Sequence, residues 1–576
     1  MPGALTPAVL RACNYKEGCG TVWGLAETTT NSDCDAKRPT WRLPPWSWPV
    51  LVLLGAWAAI LISIAPVKQD FPLGDDWAFA RGALRFAQGE GIHYSKWASM
   101  PQLGQWLWSW PFVRLIGPPH FALRLSVIVL SWLGVVAFYD LLRQQKLASA
   151  LCGFAACVLA LNPYIFVSQG TYMTDIPALA FALMALSCYS RAIINKRASW
   201  LCGGVALAVL SGITRQTMIA VPIAAGMMLL AFPSLRFRPV WVLSMLLPIA
   251  VCACVSLWFV RRTDTIPMHM ALDWRLLLFR PFLALHTCGL AVFPLLLATW
   301  RRERWDVFVA ALLILLAAAF YVYSIGAHVP NGGLFPYCYG MITPWGTYSD
   351  GLVVGNRDIL LRTSWRLVLT VVGCIGGAHI LDAAAGKLRA RAVPGILLWF
   401  TACQFLFILT MPAIMDRYLE VLFPGALALS ITGAQQRVSK FSWWPALAAS
   451  ACSGLISVAL LHDWLSWNTA RWELGRHALV ARGLKPADIE GGFEWNGWYA
   501  SADPDLPIYQ LRPDHTLNRE PGLSLPFSRY VFPQVNGQFA LGFTPPENSR
   551  ILESLPYTLW LPPRQKQFFL VQFDEK

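Results

Sequence analysis

The amino-acid sequence predicts an α-helical polytopic membrane protein with a small α/β domain at its carboxyl end. Three observations carry that expectation: the composition, a series of apolar spans, and the placement of the basic residues. Of 576 residues, 56% are hydrophobic and only 14% are charged, whereas a soluble domain carries about 25% charged residues. Apolar runs stand near 47–65, 121–142, 147–167, 174–194, 198–213, 216–232, 239–259, 281–299, 305–325, 365–383, 393–411, 419–434 and 442–461. That makes about thirteen helices, each near the roughly 20 residues needed to cross a hydrocarbon core. The runs 198–213 and 216–232 also read as one broken unit.

The net charge of +14 is distributed as topology. Basic residues gather in short alternate loops: Arg143 and Lys146; Arg191, Lys196 and Arg197; Arg236 and Arg238; Arg301, Arg302 and Arg304; Lys387, Arg389 and Arg391; Arg437 and Lys440. Short Lys/Arg-rich loops mark the cytoplasmic side. Threading the spans puts every cluster on one side, together with Lys37, Arg38 and Arg42 before the first span. The excess therefore points away from a nucleic-acid partner and towards membrane lipids.

Residues 1–46 are polar and lack the apolar core of a cleavable signal. They are expected to form a cytoplasmic, largely disordered leader, with 47–65 as an uncleaved anchor. Cys13, Cys19 and Cys34 lie there without metal-ligand partners nearby. Most of the other cysteines fall inside apolar spans, where Cys acts as a small hydrophobe. Only Cys338 falls clearly in an outer loop, so no disulfide framework is implied.

The multi-span module is taken as 47–461. Its outer segments are about 66–120, 163–173, 260–280, 326–362 and 412–418, followed by an extracytoplasmic domain over 462–576. In the long first loop, 66–120, Trp77, Ala80, Leu84 and Ala87 recur at helical spacing, with Arg81 and Arg85 opposite. The stretch from Pro101 to Ile116 is dominated by Trp, Leu and Phe. Both predict helices lying in the interface, or helices that simply seal the bundle. Beyond His462, Tyr530-Val-Phe, Phe539-Ala-Leu and Gln567-Phe-Phe-Leu-Val-Gln-Phe read as short strands of a mixed α/β domain.

Four polar groups fall at outer ends of spans: Asp75-Asp76, Tyr94-Ser-Lys96, Thr171-Tyr-Met-Thr-Asp175 and Asp416-Arg417-Tyr418. Ionisable residues at such positions are functional candidates. Each alone has a plainer reading. Asp175 is a helix N-cap before Ile-Pro, and Lys96 or Arg417 reaches headgroup phosphates. Together they suit a reaction between a lipid phosphate and a hydroxyl. Lys96 and Arg417 hold the anionic phosphate and stabilise it as it leaves. Asp75 takes the proton of the incoming hydroxyl, its neighbour Asp76 tunes it, and Asp175 orients the acceptor or shares the base role.

This set resembles the GT-C glycosyltransferases, specifically the family 39-like group that includes protein O-mannosyltransferases and the lipid A aminoarabinose transferase. The resemblance covers about residues 47–500. The acidic pair of the first outer loop corresponds to Asp75-Asp76, and Met173-Thr-Asp175 and Arg417-Tyr418-Leu match closely. The family's Tyr-x-x-Lys-Pro-Pro-Leu resembles Tyr94-Ser-Lys96, which is one residue shorter and lacks the Pro-Pro. Gly491-Gly-Phe-Glu-Trp-Asn-Gly-Trp498 looks like a segment of bacterial multi-span relatives. Its Glu494 reads as a cap or folding residue of the outer domain.

The resemblance implies a GT-C type fold and an inverting glycosyltransferase that uses a polyprenyl-phosphate sugar donor by direct displacement at the anomeric carbon. The acceptor is a hydroxyl or phosphate of a lipid, glycan or protein. Catalysis falls to Asp75, Asp76 and Asp175, and binding of the donor phosphate to Lys96, Arg417, Tyr418 and Tyr94. The expected setting is the bacterial plasma membrane, with the site on its outer face. No cofactor and no metal set is expected, since His93, His120, His269, His286 and His328 are scattered. Some GT-C enzymes use a divalent cation, and the acidic pair leaves that open. The competing class is a transporter or flippase for a lipid-linked saccharide, which calls for discontinuous helices and charge near the bilayer midplane.

Overall fold

The computed structural model describes residues 55, 69–117, 119–236, 238–262, 265, 274–299, 305–324, 340–348, 353–355, 357–389, 395–411, 414–432, 443–500, 531–532, 535 and 537–573. The leader 1–46, the first span 47–65 apart from Gly55, Cys338, His269 and His328 lie outside them.

The architecture is helical, as the composition dictates: inside a bilayer a helix satisfies every backbone group of its own segment. Each expected run from 121 to 461 coincides with helix. By length and composition, seven described helices are fit to cross a membrane: Pro119–Gln144, Asp175–Asn195, Pro239–Val260, Phe279–Thr299, Trp305–Ser324, Thr363–Arg389 and Trp443–Ala481. Three shorter apolar helices, Ala198–Thr214, Gln216–Leu229 and Ile396–Thr410, accompany them. Ser149–Ala160 and Pro163–Gln169 form one more apolar unit, bent by 60°. The bend has a local cause. Asn162 caps the second piece by accepting from the Tyr164 amide at 3.0 Å, and Pro163 opens it. Small residues permit one close helix approach. Gly289 lies on the backbone of Gly373 and Gly377, where a Cβ would have no room.

The two helices expected in the first loop form over Asp76–Gln88, where the apolar residues recur at helical spacing, and over Leu103–Leu115, in the stretch rich in Trp, Leu and Phe. The first is not a free interfacial helix: Trp77 is fully buried against Phe493 and Phe532 of the carboxyl-terminal part. Leu107, Trp110 and Leu115 of the second remain exposed.

Beyond the bundle stands a four-stranded sheet. Strands β1 (Ile342–Thr343) and β2 (Gly346–Thr347) make a separate hairpin, and β3 (Ile489–Glu490), β4 (Phe539–Gly542), β5 (Ser549–Trp560) and β6 (Pro563–Phe573) pair in the order β3-β4-β6-β5. Strands β4 and β6 fulfil two of the sequence expectations. The third fails: Val531 is helical and Phe532 is not in a strand, and both are fully buried. The longest strand but for its proline would have been readable. Pro556 interrupts the run, and it is accommodated because β5 is the edge of the sheet. The helix Trp443–Ala481 runs unbroken through position 462, where the sequence reading begins the outer domain, and packs on β5 and β6.

Candidate active site

The acidic pair sits on a turn whose shape follows from glycine. Leu73 accepts from the Asp76 amide at 3.2 Å, and Gly74 between them has φ +60°, a conformation glycine adopts at no steric cost. A Cβ at Gly74 would run into Met173 and the ring of Tyr348, so the turn is also tightly boxed. Arg124 anchors the incoming chain by donating to the carbonyls of Gln69 and Phe71. Asp70 accepts from the amide of His120 at 2.7 Å.

The two acids of the pair behave differently. Asp75 directs its carboxylate at a cation: Oδ2 accepts from Arg417 Nη2 at 2.7 Å and Oδ1 from the Trp97 indole at 3.1 Å. Asp76 spends both oxygens on backbone, accepting from the amides of Leu73 and, at 3.1 Å, Tyr172. Burial pushes the Asp76 pKa up to about 7 against the pull of Arg124 and those two amides. Asp76 ties the turn to Tyr172, three residues before Asp175.

Asp175, at the start of its helix, bonds to Arg215, and its Oδ2 lies 4.0 Å from Arg417 Nε. Arg215 occupies an extended residue (φ −147°, ψ 126°) at the break between Ala198–Thr214 and Gln216–Leu229. The result is a buried alternation of charges, Asp75–Arg417–Asp175–Arg215. Tyr418 closes it, with its ring 4.7 Å from the Arg215 guanidinium and 5.4 Å from that of Arg417. Burial works against the charge of Arg417, and Asp75, Tyr418 and Asp175 together hold its pKa well above the usual value.

Asp416 explains why Arg417 is where it is. Its Oδ1 accepts from the Met341 amide at 2.9 Å and from the Arg417 amide at 2.7 Å, and its Oδ2 accepts from the Ile342 amide at 2.8 Å. The hairpin β1–β2 is thereby fixed over the helix start. Burial raises the Asp416 pKa to about 6, opposed by those three amides.

The structure thus brings Asp75, Asp175, Arg417 and Tyr418 together. Tyr94 serves packing: its hydroxyl donates to the Pro101 carbonyl and its ring lies 5.0 Å from that of Trp106 and 5.1 Å from that of Phe259. Lys96 is half-buried beside Trp97, the residue that binds Asp75. The sequence reading missed Arg215, Trp97 and Asp416's role. Arg215 had a signal: a lone cation at the joint of two apolar runs is costly unless it is used. Trp97 had none among 28 tryptophans. Among the described residues no group of three or more His, Cys, Asp or Glu is placed to hold a metal ion.

Residues 99–258 match the model of the dolichyl-phosphate-mannose-protein mannosyltransferase family. The segment carries Asp175 and Arg215 but not Asp75, Lys96 or Arg417. The GT-C resemblance read from the motifs is thus accompanied by a family match over this segment. Among solved structures the chain is similar to ArnT from Cupriavidus metallidurans bound to undecaprenyl phosphate, at 15% identity and TM-score 0.44, over 92% of this chain and 98% of that one. The same protein in the apo state gives 13%, 0.36, 91% and 98%. Arabinosyltransferase EmbB from Mycobacterium smegmatis gives 12% and 0.34, over 74% of this chain and 42% of that one. No curated protein matches the chain.

Proposed function

We propose that this chain, which bears a segment of the dolichyl-phosphate-mannose-protein mannosyltransferase type, is an inverting membrane glycosyltransferase. It moves a sugar from a polyprenyl-phosphate donor to a hydroxyl or phosphate of a lipid, glycan or protein acceptor at the outer face. One observation supports this reading above the rest: Arg417 lies between Asp75 and Asp175 at one end of an apolar bundle. A guanidinium there meets a lipid phosphate bidentately, with a carboxylate in reach of an acceptor.

In the proposed reaction the donor phosphate docks on Arg417, with Lys96 as a second cation and Tyr94 supporting the Lys96 loop. The guanidinium exchanges its contact with Asp75 for the phosphate oxygens and releases the carboxylate. Asp75 then takes the acceptor proton as the acceptor oxygen attacks the anomeric carbon. The sugar–phosphate bond breaks with its electron pair on phosphate, where Arg417 and Lys96 stabilise it. Asp175, held by Arg215, keeps Arg417 aligned and orients the acceptor.

The test is direct. Membranes containing the protein are supplied with labelled polyprenyl-phosphate sugars, and transfer to endogenous acceptors is followed. Transfer that depends on the protein is expected with at least one donor. Accumulation of a lipid-linked saccharide on the opposite face, with no sugar transferred, would favour a flippase instead.

A further inference from the structure

The segment Gly491–Trp498 lies far from the acidic pair in sequence and against it in space. It is latched internally: Glu490 Oε1 accepts from the Gly492 amide at 3.1 Å and from Asn496 Nδ2 at 2.7 Å, and Asn496 Oδ1 accepts from the Gly491 amide at 3.2 Å. From that latch three contacts reach the first loop. The Trp498 carbonyl accepts from Arg81, Gly497 lies on the Trp77 indole, and Glu494 Oε1 accepts from the Gly74 amide at 3.1 Å. The other oxygen of Glu494 accepts from Arg471 Nη1 at 2.9 Å, and both side chains are about fully buried.

We propose that Glu494 is a positioning residue for Asp75: it pins the amide of the glycine preceding the acid and so fixes the turn that aims the carboxylate at Arg417. The proposal rests on the function proposed above. Glycine gives the turn its positive φ and also its freedom to leave it, so a hold from outside the turn is needed. A buried carboxylate kept for folding alone is replaceable by apolar packing together with its cation. Here one oxygen neutralises Arg471 on the long helix while the other is spent on a backbone amide next to Asp75. Arg471 fixes where Glu494 stands, and Glu494 fixes Gly74.

Two double variants separate the contacts, since both lack the Glu494–Arg471 ion pair and only one keeps an acceptor for Gly74. Glu494→Gln with Arg471→Met should rescue kcat to within about threefold of the wild type, whereas Glu494→Ala with Arg471→Met should lose about tenfold or more through misplacement of Asp75. The donor KM should be the same in the two, while the Ala double variant should melt lower because it leaves the buried Gly74 amide without an acceptor. Amide exchange in the peptide containing Gly74 should be faster in the Ala double variant only. Equal kcat in the two variants, or a kcat loss that disappears well below the midpoint of the Ala double variant, overturns the inference and leaves the proposed function standing. If the wild type transfers no sugar, the proposed function falls, and exchange alone decides the Gly74 contact: equal exchange in both variants overturns it.

Discussion

Arg417 and Asp75, 342 residues apart in sequence, meet at 2.7 Å in a site that is about nine-tenths buried. The same guanidinium points Nε towards Asp175 and Nη1 at the Met173 sulfur, 2.6 Å away. A sulfur is a weak acceptor beside a phosphate oxygen. In the proposed reaction an incoming phosphate would engage that donor first, before the cation gives up either carboxylate.

Asp75→Asn keeps the shape of the side chain and removes its capacity to take a proton. Sugar transfer should fall by roughly 10²–10⁴-fold, with donor binding near that of the wild type. Full turnover in this variant would displace Asp75 from the base role and leave Asp175 as the next candidate.

Arg417→Ala removes the cation that the proposed reaction uses to hold the donor phosphate. Losing a charge-assisted hydrogen bond costs about 1.5–3 kcal/mol, so the affinity for a polyprenyl-phosphate donor should drop about tenfold or more. Donor titration of the purified variant measures this. Unaltered affinity would assign Arg417 to holding Asp75 and Asp175 only.

Arg215→Met should act on stability. It strands Asp175, which is buried with its partner, and breaking a buried pair by removing one member costs about 3–5 kcal/mol. Combining it with Asp175→Asn should recover much of the thermal midpoint in detergent while leaving turnover low. A double variant no more stable than the single would show that the ion pair is not what the loss reports.

Asp76 supplies a pH signature. Its folded pKa, about 7, lies above the ordinary 3.8, so between those values the native protein holds a proton that the unfolded chain has released. Stability contributed by this group is full below about pH 4 and declines as the pH rises towards 7, since the unfolded state binds fewer protons there. In Asp76→Asn that part of the slope should vanish from midpoints measured between pH 4 and 8. An identical slope in the variant would mean that Asp76 is ionised in the native state throughout.

What was legible in the chain follows from range. Asp75, Asp175 and Arg417 could be read because each is a charge beside an apolar run, a cost that needs a reason. The helices could be read because lipid demands long apolar runs. Arg215 was obscured by the two runs it joins, and Pro556 hid β5 because edge position, which excuses a proline, is a property of the sheet. Glu494 reads in the sequence only as a cap or folding residue of the outer domain, since its contact with Gly74 spans 420 residues and no local pattern encodes it. The motif around Tyr94 points to phosphate, whereas its hydroxyl donates to the carbonyl of Pro101, a partner that the motif does not encode.

The helix Trp443–Ala481 has 39 residues, about 58 Å of rod at 1.5 Å per residue, roughly twice the thickness of a hydrocarbon core. Its apolar first half is sized to the bilayer, and its second half carries Arg471 about 42 Å from the starting end. The rod is therefore a ruler. It sets the height above the lipid at which Arg471, and through it Glu494 and the Gly74 turn, can stand. A residue inserted in its middle would rotate Arg471 by about 100° around the axis as well as lift it by about 1.5 Å. Both the distance and the heading of that arm are thus written into the number of residues between the membrane and the turn.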